Sequence, residues 1–390
     1  MSDKPHLNPH IAAAPVYAAG TSAEEVAAQY GVTDVVKMSS NENALGPSPR
    51  AVAAIRETVP TLNRYPRVAD DLLRERLARL LGPGIAPEHI ATGNGGSELL
   101  AMIARGFIFE DGDEAILCPP TFPMYEIFVR RQGGQPVCVD LTPDFQYDVD
   151  AILNAITPRT RLIFICTPNN PTGIVMTRAQ ADRLMAGVPD RAVVVFDEAY
   201  VDFVDLDDHV DTLRYVRGGR YVIVVRTLSK SHGLAGLRVG YAAAHPELAE
   251  YLWRTRIPFH LGALALAGAM AATEDTDHVA RSREMVLSGR EWLYQQLTDL
   301  GLFAIPSQAN FLIFRPEYDP QLIYDHLLRR GIVVRPAGFF YMPDFVRVTV
   351  GTQEQNERFM GALKEVLDEL AALEEAGEEV RRAEKGEVVL

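Results

Sequence analysis

From about residue 70 to residue 245, apolar runs of four to six residues alternate with amphipathic stretches, and this alternation constrains the fold more than any other feature. The runs EAILC, PVCVDL, RLIFIC, AVVVF, YVIVV and VGYAAA are continuous and rich in β-branched residues. A strand with one wet face alternates apolar and polar residues, whereas a continuous run belongs to a strand covered on both faces. Between the runs lie helical patterns. DDLLRERLARLLG sets Leu73, Leu77, Leu80 and Leu81 on one face and stops at Gly82. GSELLAMIARGF and TRAQADRLMAGV repeat the theme. Strand and helix in regular alternation predict an α/β fold, with a mainly parallel sheet and helices on both faces.

The pattern changes after about residue 250. A long helix is expected from about Thr276 to Leu300, followed by NFLIF, the helix PQLIYDHLLRRG, the strands IVVRP and VRVTV, and a closing helix from about Gln353. This reads as a smaller α+β domain over 271–375, beside a large domain over 46–270. Residues 1–45 read as an arm packing on the small domain. It carries one short helix at TSAEEVAAQYG, with Thr21 or Ser22 as cap and Gly31 as stop. The charged tail 376–390 is expected to be a frayed helix end and then disorder.

Charge and cysteine content exclude several classes. With 38 basic and 52 acidic residues the net charge is −14, and no basic patch or stripe is present, which argues against a nucleic-acid partner. An acidic chain also gains nothing at an anionic membrane. Anionic ligands must be held by local arginines and backbone amides. Cys118, Cys138 and Cys166 form no CxxC pair and read as buried thiols; with no HExxH among nine histidines, no metal site is expected. DFVDLDDHVD holds five aspartates without the spacing of a calcium loop and reads as a solvated loop. The N-terminal residues show no signal-peptide pattern, so a cytoplasmic, soluble protein is expected.

The chemistry centres on RTLSKSHGLAGLRVGY, residues 226–241. Lys230 stands in a serine- and glycine-rich turn at the end of a buried run. Desolvation and nearby cations there lower an ammonium pKa and make the amine a nucleophile able to form a Schiff base with an aldehyde. An aldehyde cofactor with a phosphate handle, pyridoxal phosphate, needs two further features: phosphate ligands, and a carboxylate at its ring nitrogen. TGNGGSELL (92–100) opens a helix directly from a glycine turn, so the amides of Gly96 and Ser97 can face an anion. Ser229 and Arg238 can add a hydroxyl and a fixed charge. Asp197 ends the run AVVVFD, where an open α/β sheet places its ligands. Tyr200 follows it. Asn170, in CTPNNPTG, and Phe122, in CPPTFPMY, stand at the ends of two other strands and offer a hydrogen bond and a stacking face. Taken singly, each of these is also compatible with a plain turn or a core residue. His232, two residues past the lysine, reads as structural.

SSNENALGPSP, LNRYP, PPTFPMY, TPNNPTG, DEAYVDF, RTLSKSHGLAGLRVGY and RVTVGT occur in one order along nearly the whole chain. In these motifs the sequence resembles the fold-type-I pyridoxal-phosphate aminotransferases, and within them the histidinol-phosphate branch. The resemblance implies that Lys230 bonds the cofactor and shuttles a proton, and that Asp197 pairs with the ring nitrogen. Asn170 and Tyr200 would contact the ring oxygen, and Phe122 would stack on the ring. Gly96, Ser97, Ser229 and Arg238 would bind the phosphate. Tyr65, in LNRYP, would reach the neighbouring subunit's cofactor, which implies a homodimer. Arg347, helped by Arg335 and Tyr17, would grip the anionic group of the substrate. Two positions depart from the usual pattern: Ser97 stands where aspartate is common and Phe122 where tyrosine is common. The resemblance leaves an aromatic-amino-acid aminotransferase as the alternative, and a threonine-phosphate decarboxylase as a more distant one.

Overall fold

The computed structural model describes residues 5, 7–16, 20–66 and 70–383. Its strands, in chain order, are β1 Val36–Lys37, β2 Ile90–Gly93, β3 Glu114–Leu117, β4 Gln135–Cys138, β5 Thr160–Cys166, β6 Val193–Asp197 and β7 Val222–Thr227. They continue with β8 Gly240–Ala244, β9 Phe303–Ile305, β10 Phe311–Arg315, β11 Ile332–Val333, β12 Arg335–Pro336 and β13 Val346–Thr349. Seven of them form one sheet in the order β2-β8-β7-β6-β5-β3-β4. Only β8 runs against its neighbours; the others share one direction.

The continuous apolar runs are explained by what covers the sheet. Ile163, Ile165, Val194, Phe196 and Val224 point into one core, while Leu162, Phe164, Val193, Val195 and Val225 point into another on the opposite face. Alternate residues thus meet helices on both sides, so no position can be polar. The exception is β4, an edge strand whose Gln135 and Cys138 are exposed. The expectation of three buried thiols therefore fails at Cys138. An outermost strand has a neighbour on one side only, and its run PVC is apolar without being enclosed.

The helix Asp71–Leu81 buries Leu73, Leu77 and Leu81 as read from the sequence, but Leu80 is 42% exposed. At 100° per residue Leu80 lies at the edge of the stripe beyond Leu73, while Ala78 is buried on its other side. The helix Gly96–Phe107 has the bounds expected from GSELLAMIARGF. Near the N-terminus, Ser22 caps Ala23–Tyr30 in a capping box with Glu25, and Gly31 ends it at φ +69°. An additional short helix, Pro9–Ala13, lies against the helix Met124–Arg131 beside the large sheet. The Ala23–Tyr30 helix instead packs by Val26 on Leu328 and Val333.

A second sheet, in the order β12-β13-β10-β9, is antiparallel throughout. It is covered by the helices Thr276–Asp299, Pro320–Arg329 and Gln353–Glu375. The single run IVVRP divides between two sheets, since β11 pairs with β1 while β12 joins β13. Beyond Glu375 the chain is not simply frayed. Asp319 N–H donates to the Arg381 carbonyl at 3.0 Å, Ala383 N–H donates to Glu317 O at 3.0 Å, and Arg382 pairs with Glu374. Among the described residues no helix is long and apolar enough to cross a membrane.

Candidate active site

The parallel strands bring their carboxyl ends to one edge of the large sheet. β5 ends at Cys166, β6 at Asp197 and β7 at Thr227, and β8 begins there at Gly240, opposite Thr227 and Gly93. The turns that follow enclose a cavity of about 390 Å³. Strand order reverses between β3 and β5, because the chain leaves β3 for the outer β4 and returns to build β5, β6 and β7 on the other side. Ligand crevices of open α/β sheets form at such reversals.

Asp197 lies at the floor of this cavity and is 6% exposed. Tyr125 Oη donates to its Oδ2 at 2.7 Å and the Ala199 amide to its Oδ1 at 3.2 Å. Burial raises its carboxyl to about 6, against the lowering effect of these two donors. Lys230 Nζ opens into the same cavity, 3.3 Å from the Ser40 carbonyl and 5.5 Å from the centre of the Tyr200 ring. Desolvation, with the Arg347 charge second, lowers its ammonium to about 7. The amine is thus held near neutrality, as the flanking sequence suggested.

A glycine turn opening into a helix stands on the wall beside it. The helix Gly96–Phe107 presents its first amides, which have no partner within the helix, next to Ser97 and Ser229. Gly95 has φ +80°, and a Cβ there would overlap the Arg238 guanidinium. Gly240 is equally constrained: a Cβ on it would come within 2.6 Å of the Gly95 carbonyl carbon and the Gly96 nitrogen. Arg238 itself adopts φ +56°, in the left-handed region that only glycine visits freely. Two glycines and one strained arginine therefore make room for the turn and aim a permanent positive charge at it.

The opposite wall comes from the second sheet. Arg335 and Arg347 are direct register partners across β12 and β13, and both line the cavity. Like charges facing each other across two strands destabilise a sheet unless an anion lies between them. Arg347 is 4% exposed. Its guanidinium donates to Asn170 Oδ1 at 2.6 Å and to the Ser39 carbonyl at 2.8 Å, and stacks 4.7 Å from the Phe340 ring centre. Phe122 lines the cavity, edge-on to Tyr125 at 5.6 Å. Tyr200 accepts from Asn41 Nδ2 at 3.0 Å, and burial raises its phenol well above the ordinary range.

Eleven of the residues singled out from the sequence therefore converge on one cavity, and Tyr65 does not. Tyr17 lies outside the described residues. Tyr65 does not line the cavity; it is 82% exposed and stacked on Phe259 at 4.6 Å. His232 packs beneath the lysine turn, its Nδ1 3.0 Å from Ser231 Oγ, which also bonds Asp202. The sequence reading passed over Tyr125, although it stands three residues after Phe122, where a helix start brings i and i+3 together. It also passed over the run Ser39–Asn43 as a source of contacts. Ser39 and Ser40 offer carbonyls to Arg347 and Lys230, Asn41 holds Tyr200, and Asn43 Nδ2 donates to the carbonyls of Lys230 and Ser231 at 3.1 and 3.0 Å. The buried Glu198 pairs with the half-buried Arg226 at 2.7 Å and braces the strand ends from behind.

The fold and this cavity thus set a lysine amine at the sheet edge, a helix start on one wall and paired arginines on the other. Residues 33–363 match the family model of the class I and II aminotransferases. Over 352 residues the chain is 44% identical to a histidinol-phosphate aminotransferase of Moorella thermoacetica, covering 90% of each. It is 40% identical over 364 residues to another from an Anaeromyxobacter species, covering 93% of this chain and 99% of that one. A solved structure, histidinol-phosphate aminotransferase from Sinorhizobium meliloti in complex with pyridoxal-5'-phosphate, superposes with a TM-score of 0.84 at 26% identity, over 95% of this chain and 99% of that one. The chain belongs to the class I and II aminotransferases.

Proposed function

We propose that this aminotransferase uses pyridoxal phosphate to exchange an amino group between histidinol phosphate and 2-oxoglutarate. The observation that carries the reading is the register pair Arg335 and Arg347 in the same cavity as the Lys230 amine. Two guanidiniums can grip either a carboxylate or a phosphate next to the reacting carbon, which is what glutamate and histidinol phosphate respectively present. The relatives at 44% and 40% identity bear histidinol-phosphate names and support the same substrate.

The residues present fit the cofactor. The glycines of the turn let Arg238 and the backbone approach the helix start closely, and the donor set is an amine, a buried carboxylate and an aromatic face. Pyridoxal phosphate, when bound, supplies an aldehyde and an electron-withdrawing ring. Lys230 would bond that aldehyde and then carry a proton on Nζ between the two reacting carbons. Asp197 would hold positive charge at the ring nitrogen, and Asn170 and Tyr200 would donate to the ring oxygen. Gly96, Ser97, Ser229 and Arg238 would hold the phosphate, with Phe122 against the ring. Tyr65, exposed and outside its own cavity, would serve a partner subunit in a homodimer.

Because the Lys230 ammonium is lowered to about 7, the unprotonated amine grows as pH rises through that value. Covalent capture of pyridoxal phosphate by the apoprotein should accelerate through pH of about 7 and then level off. A rate still climbing near pH of about 10 would mark an ordinary lysine. Arg347→Ala should raise KM for glutamate and for histidinol phosphate together, each by roughly 30- to 100-fold, as expected when one arm of a buried charged contact is removed. An unchanged KM for both would place the anionic group elsewhere. The substrate itself is tested by steady-state rates with histidinol phosphate, glutamate, phenylalanine and tyrosine. Preference for phenylalanine or tyrosine over histidinol phosphate would assign the chain to aromatic amino acids instead.

A further inference from the structure

The cavity's charge contains one group that the reaction leaves unexplained. Lys230, Arg238, Arg335 and Arg347 are accounted for by a carbonyl, a cofactor phosphate and an anionic substrate. Asp197 is buried and engaged by Tyr125 and Ala199. The remaining acidic wall residue is Glu42. A carboxylate in a site built for anions works against their binding, since like charges repel most strongly where water is scarce. An ordinary surface role would not require that position.

Glu42 cannot drift away. The residues on either side of it are fixed: Asn41 bonds Thr349 and Tyr200, and Asn43 bonds Lys230 O and Ser282. Its own side chain is 46% exposed, and both oxygens accept from Lys37 Nζ, at 3.1 and 3.0 Å. The carboxylate is thus held at the cavity wall by its fixed backbone neighbours, paired with a cation that does not line the cavity, and still open to a ligand.

We propose that Glu42 is a specificity-determining residue that accepts a hydrogen bond from a ring N–H of the substrate's imidazole. This rests on the histidinol-phosphate reading and names the group that recognises the ring. Imidazole carries at least one N–H donor in either protonation state, and two when charged. A carboxylate suits both forms, with a stronger bond to the charged one. Glutamate offers a second carboxylate in place of the ring and would be repelled. The arginines would then bind what the two substrates share, while Glu42 would read what differs.

The test uses the holoenzyme and two variants, Glu42→Ala and Lys37→Ala. The quantity compared is the ratio of kcat/KM for histidinol phosphate to that for glutamate, each measured on the same preparation. Glu42→Ala should lower the ratio about ten- to a hundredfold, the discrimination expected when a charge-assisted hydrogen bond is lost. Lys37→Ala, which removes the ion pair but keeps the carboxylate, should hold the ratio within about threefold of the wild type. An unchanged ratio in Glu42→Ala, or an equal fall in Lys37→Ala, would overturn the assignment and make Glu42 half of a surface ion pair. Wild-type enzyme that uses glutamate but not histidinol phosphate would overturn the substrate reading and this inference together. Wild-type turnover of both substrates with no effect at Glu42 would overturn this inference alone.

Discussion

Lys230→Ala is expected to lower the rate of transamination by at least about 10³-fold, because it removes both the covalent attachment and the proton carrier. The same amine is the group whose ammonium burial and Arg347 bring to about 7, so near neutral pH it exists in both the form that attacks a carbonyl and the form that returns a proton. A neighbour cannot easily take over. The charged groups around it are the permanently charged Arg347 and Arg238, the buried Asp197 and Glu42, none of which is an amine. The loss should appear in kcat with each substrate and be accompanied by loss of the bound-cofactor absorbance. It should not arise from unfolding. A lysine lowered in the folded state binds fewer protons there than in the unfolded chain. Its burial therefore opposes folding fully below pH of about 7, and the penalty fades as pH rises toward about 10. At neutral pH the alanine apoprotein should thus melt no lower than the wild type. Turnover within tenfold of the wild type would remove Lys230 from the chemistry.

Asp197→Asn is expected to lower kcat by roughly 10²- to 10³-fold while altering KM much less, the pattern of an interaction made chiefly as charge develops. Asparagine has nearly the same shape and can still meet Tyr125 and the Ala199 amide. What it lacks is the negative charge, which in a site this buried water replaces only poorly. Attachment of the cofactor depends on Lys230 and should survive, so the variant should remain coloured while turning over slowly. Steady-state kinetics beside an absorbance spectrum checks this. A kcat within about threefold of the wild type would show that the carboxylate carries no charge-stabilising role.

The sequence made some of this site legible and left the rest to tertiary structure. Continuous apolar runs marked β3, β5, β6 and β7 because both their faces are covered. Asp197 and Lys230 could be read because each closes such a run, and the glycine turn before Gly96 could be read because its chemistry is local. β2 escaped notice, since Ile-Ala-Thr-Gly has one large apolar residue and becomes a strand only by pairing with β8. The register that sets Arg335 opposite Arg347 is likewise a pairing of distant segments. The contacts of Ser39 and Ser40 reach 308 and 190 residues along the chain, so no window of sequence could reveal them. Leu80 and Cys138 show the limit of periodicity: it finds apolar residues, and burial then depends on which of them meets a neighbour.

The central claim is the bond between one lysine and the cofactor's aldehyde. Borohydride reduction of the protein loaded with pyridoxal phosphate, followed by proteolysis and mass mapping, tests it directly. The expected result is a single pyridoxyl label on the peptide that carries Lys230. A label on another lysine, or none on a preparation that is active, would contradict it.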